Sequence, residues 1–310
     1  MRVGVVDLGT NSTRMLVADV ADGAVWEIDR RTEVTRLGDG LETTGRLSED
    51  AMARVHEVVG HHVQAFAAHR CQASVAVMTS AFRDAVNGAA FGDEIEERHG
   101  LEARVLTGEQ EARLTFLGAA AGRTASDGGA ICVIDVGGGS TELVTGRDGE
   151  VEAHASLQLG VVRHTERHLH SDPPADEELQ ALADDVRATL REALPDPARY
   201  AITAGVAVAG TPTSCAAILQ ELEPYDRERV EGYPLELAAC EELLARLADM
   251  PLAQRCQLTG LHPDRAPTIV AGVVILVEAL RLLDLDRITV SERDILHGAA
   301  LERAGFGKTR

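Results

Sequence analysis

One nine-residue pattern occurs twice in this chain. VVDLGTNST (5–13) and VIDVGGGST (133–141) each run apolar strand, Asp, apolar residue, Gly, two small or polar residues, then Ser-Thr. The copies stand 128 residues apart. A strand that ends in Asp and turns through Gly must be followed by a strand running back, so each copy opens a hairpin. The residues that follow repeat as well. Segments 2–8, 14–20 and 24–36 read as a β-meander, with a turn at Asp22-Gly23, and segments 131–135, 141–146 and 151–157 read as a second. The chain therefore reads as two α/β halves of like topology, and 310 residues is the length at which two cores are expected.

Between the meanders, Ser48 caps a helical pattern to about residue 70. Glu49 and Asp50 lie in its first turn, and Ala51, Val55, Val58, Val59, Val63 and Phe66 lie on one face. A strand at 74–79, helical segments to about 98, a strand near 103–106 and a helix over about 109–121 complete the first half. The RTASDGG stretch (123–129) reads as the linker. In the second half, the Pro-bearing 171–178 leads into a helix, VAVAG (206–210) reads as a strand, and 291–305 reads as a helix.

Thirty basic against 50 acidic side chains leave a net charge of −20, which repels nucleic acid and anionic membranes. No stretch approaches the roughly 18 to 20 apolar residues of a membrane span. The first residues turn acidic too soon for a secretory signal, so the expected compartment is the cytoplasm. Cys71, Cys132, Cys215, Cys240 and Cys256 are odd in number and widely spaced, which indicates reduced, mostly buried thiols.

An Asp-Gly turn offers an anion two things: backbone N–H groups and a carboxylate placed to hold a cation or its water. Gly9 in the first turn, and Gly137, Gly138 and Gly139 in the second, let the backbone approach a phosphate closely. Ser12, Thr13, Ser140 and Thr141 are candidate hydroxyl donors. The expectation is a pair of turns clamping one row of phosphates.

Seven ordered blocks resemble the exopolyphosphatase and guanosine pentaphosphate phosphohydrolase (Ppx/GppA) family, a branch of the actin, hexokinase and heat-shock-chaperone superfamily. They are DLGTNSTRML (7–16), TRLGDGL (35–41), TSAFRDAVN (79–87), TGEQEARLTFLGA (107–119), IDVGGGSTELV (134–144), AGTPTS (209–214) and HPDRAPTIVAG (262–272). The resemblance implies two ribonuclease-H-like, actin-like ATPase domains with an interdomain cleft, in the short two-domain form. Domain I would span 1–126 and domain II 127–291, with a helix at about 292–310 packing back on domain I.

The resemblance also implies roles. Glu111 matches the general base, with Glu109 as its less favoured neighbour. Arg83 matches an arginine aimed at the phosphates. Asp135 and Glu142 match metal carboxylates, for Mg²⁺ with Mn²⁺ as the alternative. Asp7, Gly9, Thr10, Asn11 and Ser12 join Gly137, Gly138, Gly139, Ser140 and Thr141 in phosphate binding. Arg14 and Arg265 are weaker matches for outer phosphates or a nucleotide. The implied activity is metal-dependent removal of the terminal phosphate from inorganic polyphosphate. The alternative substrate is guanosine pentaphosphate, and a sugar or acetate kinase is a more distant reading. A nucleotide-gated structural protein ranks last, and the family suggests a homodimer. His164, His168 and His170, and likewise His61 and His62, read as solvated helix faces, because they match no known ligand pattern.

Overall fold

Successive residues of strand β1 (Arg2–Leu8) serve two different cores. Val6 and Leu8 enter one and Val3 and Val5 the other, as the two-residue period of a strand dictates. The structure, a computed structural model, describes residues 1–120, 128–147, 149–193 and 202–307. β1 pairs antiparallel with β2 (Thr13–Ala21), and β2 with β3 (Ala24–Glu33). On the other side β4 (Ala73–Met78) and β5 (Ala103–Val105) add in parallel. The strand order is β3-β2-β1-β4-β5.

The first sheet face is covered by the helix Glu49–Ala68, which buries Val55, Val59 and Phe66 there. Ser48 caps it, its hydroxyl accepting from the Ala51 N–H at 3.3 Å. The second face carries the helices Gly108–Ala119 and Ile295–Arg303, through Leu114, Ile295, Leu296 and Ala299. These two helices meet backbone to backbone. A Cβ added to Gly298 would lie 1.8 Å from the Leu114 carbonyl oxygen, so only glycine permits the approach.

The second unit repeats the plan. It contains β6 (Ala130–Val136), β7 (Thr141–Arg147), β8 (Glu150–Leu157), β9 (Ile202–Val208), β10 (Pro234–Glu236) and β11 (Arg287–Val290), ordered β10-β11-β9-β6-β7-β8. Reading from β8, a three-stranded meander is followed by two parallel strands, as in the first sheet. β10 is an added antiparallel edge whose first residue is proline, where a missing N–H costs no ladder bond. Both sheets thus have the ribonuclease-H-like order that the family resemblance implies. The helix Ile269–Leu282 is buried from Ile269 through Leu280 and fills the core of this unit.

The chain divides into two compact units, one of Met1–Ala121 with Arg293–Arg310 and the other of Gly122–Glu292. The linker expected at 123–129 lies outside the described residues except for Gly128 and Gly129. One expected strand is displaced, and β10 and β11 were not expected. β9 occupies Ile202–Val208, and Gly210 already begins a helix after Ala209 turns through a positive φ of 71°. Cys132, Cys215 and Cys240 are buried, Cys71 and Cys256 are half-buried, and all are free thiols. Among the described residues, no helix is long and apolar enough to cross a membrane.

Candidate active site

The two turns close in the same way. The Gly9 N–H donates to the Ser12 carbonyl at 3.0 Å, and the Gly137 N–H donates to the Ser140 carbonyl at 3.0 Å. A Cβ would lie 3.0 Å from the Ser12 oxygen at Gly9 and 2.9 Å from the Ser140 oxygen at Gly137, which is why both positions are glycine.

The turn carbonyls are tied down by neighbouring segments. In the first turn, Thr10 accepts from the Gly38 N–H at 2.8 Å and Asn11 from the Arg36 N–H at 2.9 Å. In the second, Gly137 and Gly138 accept from the Val161 and Val162 N–H groups at 3.0 and 2.9 Å. Gly139 accepts from Arg163 Nε at 3.2 Å. In a trans peptide the N–H points opposite to the C=O. The amides of Asn11 and Ser12, and of Gly138, Gly139 and Ser140, therefore point away from the segments that hold the carbonyls. Successive N–H groups arranged in this way form an anion-binding concavity.

Strand periodicity decides which side chains gather beside the first turn. Asp7 follows Val3 and Val5 on the sheet face covered by the helix Gly108–Ala119. Arg14 stands directly across the ladder from Asp7. Arg14 Nη2 is 2.5 Å from Asp7 Oδ2, and its other amino group bonds Asp294, the N-cap of the helix Ile295–Arg303. Burial pushes the Asp7 carboxyl up, with Arg14 opposing. Asp7 Oδ1 is buried and has no hydrogen-bond partner among the described residues. Burial also penalises ionised Asp294, but Arg14, Arg30 and His297 more than offset this and hold it below the usual carboxylate range.

On the same helix, Glu111 is 7% exposed while Glu109 is exposed. Thr107 starts this helix with a capping box to Gln110. Arg83 reaches Glu111 from the short helix Ser80–Asp84, with Nη1 2.5 Å from Glu111 Oε2 and 2.9 Å from the Leu106 carbonyl. Burial raises the Glu111 carboxyl to about 7, against the pull of Arg83. Asp7 adds to the rise. Ser80 lies against the first turn, its hydroxyl 2.9 Å from that of Thr10. Asp7, Thr10, Arg83 and Glu111 thus belong to one neighbourhood at the end of β1.

In the second hairpin the cross-ladder pair is Asp135 and Glu142. Both are buried, at 7% and 1% exposure, and Ser156 donates to Glu142 Oε1 at 2.8 Å. Glu142 occupies the position that Arg14 holds in the first hairpin. Like charges directly opposite in a ladder destabilise it, so this pair suits a cation between them.

Four expectations need correction. Thr141 spends its hydroxyl proton on the Leu159 carbonyl at 2.6 Å, so it offers no donor to phosphate. Thr13 is likewise buried against the Thr35 hydroxyl at 3.0 Å. His62 is fully buried and His164 is 1% exposed, so neither lies on a solvated face. The 3.6-residue period puts His164 on the side of Val161, turned in towards the core. Arg265 binds its own unit: Nη1 lies 2.9 Å from the Gly210 carbonyl and 3.1 Å from the Ser214 hydroxyl. Asp294, Arg30 and Ser80 were missed in the sequence. Asp294 stands three residues before His297 at a helix start, and this capping pattern was the available signal.

Residues 16–305 match the Ppx/GppA phosphatase family. The chain is 38% identical to "Exopolyphosphatase 2" of Mycobacterium tuberculosis, over 98% of this chain and 99% of that protein. The crystal structure of an exopolyphosphatase from Cytophaga hutchinsonii is similar, with a TM-score of 0.87 and 25% identity, covering 99% of each chain. That of the Aquifex aeolicus Ppx/GppA family member has a TM-score of 0.81 and 29% identity, over 98% of this chain and 97% of that one.

Proposed function

Because the chain belongs to the Ppx/GppA phosphatase family, we propose that it is an exopolyphosphatase, hydrolysing the terminal phosphoanhydride of inorganic polyphosphate. The observation that carries this reading is Glu111, a buried carboxyl poised near neutrality beside Arg83 and Asp7. The names of the relatives over the full chain support the choice of substrate.

Hydrolysis needs a base for the attacking water, donors for the phosphate oxygens, and a counter-charge for the leaving group. Glu111 takes the proton from water, which its pKa near the working pH favours. Arg83 orients Glu111 and places a guanidinium where charge grows on the transferred phosphoryl group. Asp7 Oδ1, a buried acceptor without a partner among the described residues, is placed to order a water. The amides of Asn11, Ser12, Gly138, Gly139 and Ser140 hold phosphate oxygens. Asp135 and Glu142 fit a divalent cation with hard oxygen preference, Mg²⁺ or alternatively Mn²⁺, which when bound neutralises phosphate charge. Arg14 serves to position Asp7 and is not an outer-phosphate ligand in this reading.

The test is phosphate release from polyphosphate by purified protein in Mg²⁺. Glu111→Gln is expected to lower kcat by about 10² to 10⁴-fold with the fold intact, while Glu109→Gln leaves kcat unchanged. Chelation should abolish turnover, and Mg²⁺ should restore it. Release from guanosine pentaphosphate with none from polyphosphate would overturn the substrate, and full activity in Glu111→Gln would overturn the mechanism.

A further inference from the structure

We propose that His164, His168 and Asp185 form a binding site for a transition-metal cation of the Zn²⁺ type, separate from the carboxylate pair Asp135 and Glu142. His164 and His168 are four residues apart on the helix Val161–His168, so their rings leave the same face, with centroids 5.8 Å apart. Asp185 comes from a different helix, Asp176–Ala193, and no local pattern places it beside them. One ligand atom from each residue lies within 4.8 Å of the other two.

The detail at His164 favours a cation. Its Nδ1 is 3.1 Å from the Gly160 carbonyl, nearer than to the Gly160 N–H at 3.3 Å. In the tautomer that carries the proton on Nδ1, directed at that carbonyl, Nε2 turns a lone pair towards Asp185 Oδ2 at 3.6 Å, as a metal ligand requires. A ring nitrogen anchored to a backbone carbonyl while the other faces a carboxylate is the usual support of a metal-ligating histidine.

Two imidazoles and one carboxylate are the donors of a three-ligand zinc site with a fourth position open, and they differ from the all-oxygen pair expected to hold Mg²⁺. Tetrahedral ligands at zinc lie about 3.3 Å apart. The 3.6 Å separation at His164 already fits, whereas the 2.8 Å contact of His168 Nε2 with Asp185 Oδ2 must open by about half an ångström. Arg167, 3.3 Å from the same oxygen and with 40% of its side chain exposed, must swing outward to admit the ion.

Such an ion would brace the second glycine turn. Gly160 packs so tightly that a Cβ there would lie 2.3 Å from the Gly138 oxygen, and the next two residues hold the Gly137 and Gly138 carbonyls. Locking His164 to Asp185 locks the start of that helix against the turn.

The experiment uses the full chain, stripped of metal by a chelator and then titrated with Zn²⁺ in excess Mg²⁺. Co²⁺ serves as the spectroscopic probe of a nitrogen-bearing tetrahedral site. The expected result is saturable binding of a single equivalent and a rise in melting temperature. Asp185→Asn and His168→Gln should each weaken binding about 100-fold or more, while Asp135→Asn leaves it intact. Circular dichroism establishes that each variant is folded, and two independent variants keep the test sound if one is not. Absence of saturable binding, binding that survives both substitutions, or its loss in Asp135→Asn would overturn the proposal.

Discussion

Glu111 and Glu109 sit two positions apart on one helix and meet different solvents. Glu109 faces water, while burial lifts the Glu111 carboxyl to about 7. A base works only when ionised, so kcat/KM for polyphosphate should climb with pH through about 7 and then level. Arg83 pulls that value down, so Arg83→Gln should move the rise to higher pH as well as lowering its plateau. A pH–rate series on both proteins checks this, and an unmoved midpoint in the variant would contradict it. Stability follows the opposite sign. The folded value lies above the ordinary 4.5, so the protonated carboxyl favours the fold at low pH, and this contribution is lost as pH rises through 7. Glu111→Gln cannot ionise and should be more stable than the parent above pH 7, by on the order of 2 kcal/mol in urea unfolding. At this scale the sequence carried identities better than environments. The pairing of Asp7 with Arg14 and of Asp135 with Glu142 could be read from hairpin register, because opposed residues share a face. The burial of Glu111, the linkage of Arg14 to Asp294 and the approach of Asp185 to two histidines depend on contacts between distant segments, which no local pattern encodes.

Elements were legible where periodicity was long and unbroken. The helix capped by Ser48 and both meanders follow from it directly. β9 was placed too late because Gly205 interrupts its apolar run. The structure gives the reason for that glycine: a Cβ would lie 2.9 Å from Leu285 and 3.0 Å from Ile288. β10 and β11, of 3 and 4 residues, are too short to show a period and exist by pairing with each other and with β9. The crossing of the helices Gly108–Ala119 and Ile295–Arg303 has a sharper dependence on one residue. Gly298→Ala drives a methyl into a carbonyl that belongs to helix backbone, so the helices must separate. A loss of about 2 to 3 kcal/mol in the unfolding of this unit is expected. Thermal or urea melts check it, and an unchanged midpoint would show that the contact yields easily.

At the scale of the whole molecule, the two hairpins share one backbone plan and differ in charge: Asp7 faces an arginine and Asp135 a glutamate. The proposed reaction calls on both carboxylates. A double-mutant cycle tests this. Asp7→Asn and Asp135→Asn should each lower kcat severely, and the combination should cost far less than the two losses added together. Strict additivity would mean that the two turns act independently. The route of the chain carries a further consequence for how the protein is made. The first unit is discontinuous, closed by Ile295–Arg303 after the whole second unit has been laid down. During translation the second unit can fold as soon as it emerges from the ribosome, while β1 to β5 wait with one sheet face covered by the helix Gly108–Ala119 alone. Asp294, which anchors Arg14 beside Asp7, arrives last of all. A nascent chain stalled before residue 293 should therefore already resist protease across its later half while its earlier half is still digested.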